Sequence, residues 1–160
     1  MIKSVLSKNK EIAIIFSVML ASAVSLCFVT GMTDLDWLNW GNKCLSQSFD
    51  PSADVKIKKW ELTLTDDSFI RLRKIYQNGK QEYFSLHLQK LEDMDYLGNV
   101  NVGTLQLRAK ADDIIVQTYN DKKGNVDSMA NVLTIPVKNM KPERLDSLRA
   151  ALNYFKAKNL

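Results

Sequence analysis

Few side chains in this sequence could do chemistry, and their spacing argues against most of it. One histidine, His87, and two cysteines, Cys27 and Cys44, stand in a chain of 160 residues. So few nitrogen and sulfur ligands cannot assemble a zinc set. Serine–histidine–acid chemistry would need His87 beside a serine on a strand-to-helix elbow, and no G-x-S-x-G pattern occurs. The six glycines are scattered, so no phosphate-cradling run exists. Asp66-Asp67 and Asp112-Asp113 could serve as paired carboxylates or supply oxygens to calcium. No EF-hand spacing surrounds them, and both pairs fall where hairpin turns are expected, which by itself explains their type. These residues support no catalytic, metal or cofactor site, and the expectation is a protein that is not an enzyme.

The elements that must position any site begin with Ile12–Met32, 21 residues without a charge. As a helix that run would be about 31 Å long, the thickness of a bilayer's hydrocarbon core. Lys3, Lys8 and Lys10 precede it, and Asp34, Asp36, Trp37 and Trp40 follow. The positive-inside rule then keeps residues 1–11 cytoplasmic and exports the rest as a periplasmic or extracellular domain. Trp37 and Trp40 would stand at the outer membrane interface, where amphipathic rings collect. A cleavable signal is the rival reading, because Ala21-Ser22-Ala23 has the form of a cleavage site near residue 23. Against it, the apolar run continues past that point. Leu26 is too large to precede a lipidated Cys27. With the anchor retained, Cys44 is a lone exported thiol available for an intermolecular disulfide; with the signal cleaved, a Cys27–Cys44 bridge becomes possible.

Beyond Met32 there are 19 basic and 17 acidic side chains. That balance gives no nucleic-acid footprint, which would need a clustered basic face. Residues 33–54 read as a connector, with Gly41, Asn42, Ser46, Ser48, Asp50, Pro51 and Ser52 breaking any regular pattern. From 55 to 160 the pattern becomes a β domain. Val55–Thr65, Phe69–Tyr76 and Lys80–Leu91 alternate as three strands, and loops Asp66–Ser68 and Gln77–Gly79 put their apolar residues on one face. Leu64 then opposes Ile70, Leu72 opposes Phe84, Lys74 opposes Glu82, and a bulge is expected near Lys58–Lys59. His87 falls on the other face, beside Phe69. After the acidic loop Glu92–Asp95, strands Val100–Ala109, Ile114–Asn120 and Met129–Val137 form a second meander, with Leu105, Leu107 and Ala109 opposite Thr118, Val116 and Ile114. Pro142 opens a helix whose stripe Leu145, Leu148, Leu152 and Phe155 would cap the sheets. The expected fold is α+β: a transmembrane helix, then a six-stranded antiparallel, sandwich-like domain of two three-stranded meanders under a C-terminal amphipathic helix.

Lys56, Lys58, Lys59, Arg71 and Arg73 gather on the first hairpin. In a six- or seven-strand domain with a terminal helix, this layout resembles pleckstrin-homology domains. The resemblance implies an anionic-ligand patch at Lys59, Arg71 and Arg73, holding lipid phosphates. Glu61 neutralises part of it, and a solvated strand face explains the same residues.

The functional expectation is a non-catalytic, single-pass membrane protein whose exported domain binds a protein partner, self-associates or supports an assembly. The alternative is a lipid or apolar ligand held between the sheet and the C-terminal helix. Retention of the anchor is directly measurable. N-terminal sequencing of the protein from membranes should return the first residues of the chain, whereas a soluble product starting at Val24 would show cleavage.

Overall fold

In a computed structural model of the chain, residues 31–54 and 56–158 are described, and those from Asp34 onward form one compact unit. Of the expected membrane segment only Gly31 and Met32 fall among these residues, and neither is helical. No described helix is long and apolar enough to cross a membrane. The structure therefore lends the transmembrane helix no support.

The fold is α+β with antiparallel sheets and a C-terminal helix, but the described residues form eight strands rather than six. Among the described residues the elements run helix α1 (Asp34–Ser48), β1 (Ile57–Leu64), β2 (Phe69–Tyr76), β3 (Gln81–His87), β4 (Leu91–Gly98), β5 (Val102–Ala109), β6 (Ile114–Tyr119), β7 (Asp127–Ala130), β8 (Val132–Lys138) and helix α2 (Pro142–Lys158). One sheet has the order β1-β2-β3-β6-β7 and the other β4-β5-β8.

The first three strands pair as expected. Leu64 faces Ile70, Leu72 faces Phe84 and Lys74 faces Glu82, with the register slipping between Ile57 and Lys59. Ser68 and Gly79 take the positive-φ positions of the two turns, at 63° and 86°. Short loops leave no other register that buries one face, so local pattern suffices here.

The second meander does not form. β5 pairs with β4 and β8, setting Leu105 against Ile135 and Leu107 against Leu133. β6 instead lies beside β3, with Phe84 opposite Val116 and Tyr83 opposite Gln117. The expected strand Met129–Val137 is divided at Asn131, its first half in one sheet and its second in the other. Two physical reasons account for this. Glu92–Asp95 is not a loop but part of β4, whose bulge between Leu91 and Asp93 breaks the alternation of its buried Leu91 and Met94. An alternating strand such as β5 will also accept any partner that buries the same face.

The stretch 33–54, read as a connector, is mostly helix α1 with a short 3-10 turn at Pro51–Ala53. Its apparent helix breakers are packing residues. A Cβ at Gly41 would stand 2.9 Å from Leu64 Cδ2, so glycine lets the helix close on β1. Asn42 donates from Nδ2 to the Leu64 carbonyl and accepts from the Leu64 N–H at Oδ1, both at 2.8 Å. Its amide thus takes the place of a peptide unit in a further strand. Asp34 and Asp36 favour the helix N-terminus. Tertiary contact overrides weak propensity.

The helix expected from Pro142 is present, with Leu148, Ala151, Leu152 and Phe155 at most 1 % exposed. Leu148, Leu152 and Phe155 join Leu62, Leu86 and residues of both sheets in one core, so the space between sheet and helix is filled with side chains. Ser68 Oγ donates to the Phe155 carbonyl at 3.0 Å, and Asp34 takes hydrogen bonds from Tyr154 and Lys158, tying α1 and α2 together.

Replacing Asn42 with alanine leaves both Leu64 groups without their partner and should cost about 1–3 kcal/mol. Asn42→Asp should recover only part of that, since a carboxylate cannot donate. Urea unfolding checks this, with the exposed Lys43→Ala expected near zero.

Candidate functional site: the open face of the five-stranded sheet

Alternation sends one set of side chains from β1, β2, β3, β6 and β7 into the core and the other set outward. Cross-strand register arranges the outward set in rows. Glu61, Arg73, Tyr83, Gln117 and Asp127 form one row; Thr63, Arg71, Ser85, Ile115 and Met129 form the next. Neither described helix covers these rows, because α1 and α2 pack on the core side. Ile115, Tyr119 and Met129 are 36, 47 and 51 % exposed. Along the first row and the adjoining Gln81–Tyr119 pair lies an open cleft of about 690 Å3, lined by Arg73, Gln81, Tyr83, Gln117, Tyr119 and Asn120.

The cleft is ordered by side-chain hydrogen bonds. Arg73 Nη2 donates to Gln81 Oε1 at 2.7 Å. The Tyr119 hydroxyl donates to Gln117 Oε1 at 3.0 Å, and Gln117 Nε2 donates to Asp127 Oδ1 at 3.3 Å. These contacts hold an aromatic and amide surface in place, with one guanidinium at its margin. Such a surface can stack and hydrogen-bond a partner, but it contains no nucleophile–base pair.

The three basic residues marked in the sequence share this face without converging on one point. Arg73 belongs to the cleft. Lys59 and Arg73 flank a narrow groove with Glu61 between them. Arg71 is engaged elsewhere, 3.4 Å from Asp67 and with its guanidinium 4.9 Å over the Phe69 ring. His87 lies beside Phe69, ring centroids 4.6 Å apart, as the strand pattern implied.

The other marked residues lie elsewhere. Trp37 stacks on Tyr154 at 5.7 Å, and Trp40 packs against the core, so both rings are half-buried within the domain. Cys44 is 2 % exposed, and Arg144 Nε donates to its Sγ at 3.3 Å. A bridge from Cys44 to another chain would require the helices to part. Among the described residues, no group of three His, Cys, Asp or Glu side chains is placed to hold a metal.

A comparison with known families, curated proteins and solved structures finds no match. The layout resemblance to pleckstrin-homology domains thus rests on a basic hairpin and a terminal helix alone, since the described strands number eight and not the six or seven it assumed.

Tyr83, Gln117, Tyr119 and Asn120 were not singled out from the sequence. Tyr83 and Tyr119 are visible there as outward, out-of-phase aromatics, but only the β3–β6 pairing brings them together.

At the end of the opposite, inner face sits the densest charge cluster. Lys74 Nζ meets Asp54 Oδ2 at 3.1 Å, and the Tyr76 hydroxyl lies 2.7 Å from Asp54 Oδ2 and 2.8 Å from Glu82 Oε2. Lys80 bridges Glu82 at 3.0 Å and Asp121 at 2.9 Å. A phenol has one proton to donate, so one carboxylate accepts at a time while the lysines balance both. Burial, then the two carboxylates, push Tyr76 well above its ordinary range and keep it protonated. Burial works to raise Asp54, but the Tyr76 hydrogen bond and Lys74 outweigh it, leaving its carboxyl below the usual value. Because every acid has a cation, the cluster is a structural clasp.

A depressed Asp54 stabilises the fold above the ordinary aspartate range, near pH 4, and loses that contribution as pH falls through its lowered value. Tyr76→Phe should therefore cost about 1 kcal/mol at neutral pH and flatten the acid limb of the stability curve below about pH 4. Urea midpoints measured from pH 7 down to pH 3 test both effects.

Proposed function

We propose that this chain is a non-catalytic envelope protein, held in the cytoplasmic membrane by Ile12–Met32 with its N-terminus inside, whose exported domain binds a protein partner on the open face of the five-stranded sheet. The membrane part rests on the uncharged length and the lysine-before, aspartate-after flanks. The binding part rests on one observation: a sheet face rich in Tyr, Arg, Ile and Met that neither described helix crosses. Aromatic residues, Met and Arg are enriched in interfaces, and Tyr and Arg dominate their binding energy. Exposed apolar groups clustered on one face also mark interaction sites more than scattered ones do. The filled interior favours surface binding over carriage of an apolar ligand.

A photo-crosslinking residue placed at Tyr83 or Ile115 of the full chain in its membrane should yield one common adduct with a different polypeptide. The same residue at Asn153, on the exposed side of α2, should not. Adding Tyr119→Asp should reduce the Ile115 adduct by about tenfold. An adduct from all three positions, or from none, would overturn this reading.

A further inference from the structure

Two sheets have four edges, and three of these are guarded. Asn42 occupies the β1 edge at Leu64. Along β8, Phe49 bridges Val137, the Asp50 N–H donates to the Pro136 carbonyl, and Pro136 itself has no N–H to offer. On β4, Glu92, Asp93 and Asp95 repel a second acidic strand, and Arg149 of α2 reaches Asp93 at 3.5 Å. β7 has only its brevity. It carries no proline, no bulge and no covering element among the described residues, while Met129 and Val126 beside it are about half exposed.

We propose that β7 pairs with β7 of a second copy of this chain, antiparallel about a two-fold axis at Ser128, joining two five-stranded sheets into one. Register decides which backbone groups are free. The Thr118 N–H donates to the Val126 carbonyl, so the hydrogen-bonded pairs with β6 are Val126, Ser128 and Ala130. The N–H and C=O groups of Asp127 and Met129 therefore point away from β6. A two-fold axis at Ser128 sets Asp127 of one copy against Met129 of the other, and each such pair satisfies both residues' donors and acceptors. Such a contact is isologous and closes on itself, as most soluble homodimers do.

Charge selects a second copy over an unrelated strand. The turn beside the start of β7 carries Lys122 and Lys123, and the turn before β6, level with the end of β7, carries Asp112 and Asp113. Antiparallel self-pairing brings the basic turn of each copy towards the acidic turn of the other, twice over. The open face of the sheet stays free and becomes continuous across the pair, so this contact is separate from the partner site proposed above.

At the axis, opposed Ser128 residues form a non-hydrogen-bonded pair, whose Cα atoms stand about 4.5 Å apart and within disulfide reach. The full chain carrying Ser128→Cys, oxidised in its membrane, should form a crosslinked dimer roughly tenfold faster than Asn153→Cys or the unaltered chain. Lys123→Glu added to Ser128→Cys should slow that crosslink, and Asp112→Lys in the same chain should restore it. Met129→Pro removes only an outward N–H and should abolish the crosslink while the circular dichroism spectrum is retained. Equal rates for Ser128→Cys and Asn153→Cys, a crosslink to a different polypeptide, or failure of Asp112→Lys to restore the rate would overturn self-pairing.

Discussion

The short turn Leu88–Lys90 takes the chain out of the first sheet, and the rest of the topology depends on it. Leu88 is fully buried, and its N–H donates to the Ser68 carbonyl at 2.8 Å. α2 packs on the same turn, and the Lys110 N–H donates back to the Lys90 carbonyl at 3.2 Å. Had the chain reversed there into a tight hairpin, β4 would have lain beside β3. Instead β3 keeps a free edge, which β6 fills after the chain has built two strands of the other sheet.

From that vacancy come the two surfaces with functional interest. With β6 beside β3, Tyr83 and Tyr119 border the same cleft as Arg73, and β6 carries β7 out to the end of the sheet. Both described helices pack on the core side. Among the described residues, no helix covers the outer face of the wider sheet. The open face and the unguarded edge are thus consequences of one crossing.

Charge is used differently on the two sides of the wide sheet. Inside, at the end of the strands, Lys74, Tyr76, Lys80, Asp54, Glu82 and Asp121 neutralise one another over short distances. Half-buried ionic groups must be partnered in this way, because solvent no longer supports them. Outside, Arg71 pairs with Asp67 and lies over the Phe69 ring, and the exposed Arg73 donates to Gln81.

The absence of zinc, phosphate-loop and serine-hydrolase patterns was legible from composition and spacing alone. So were the uncharged stretch with its asymmetric flanks, the register of β1, β2 and β3 with its bulge, and the apolar stripe of α2. These features are local: a short loop admits one register that buries one face, and a helix's stripe depends only on its own period. The helix at Asp34–Ser48, strand β4, the exchange of β6 and β8 between sheets, and therefore the Arg73–Tyr119 cleft and the free edge of β7, were decided only by tertiary structure. Gly41 and Asn42 look like helix breakers until Leu64 is beside them. An alternating strand states which of its faces is buried; it does not name the neighbour that buries it.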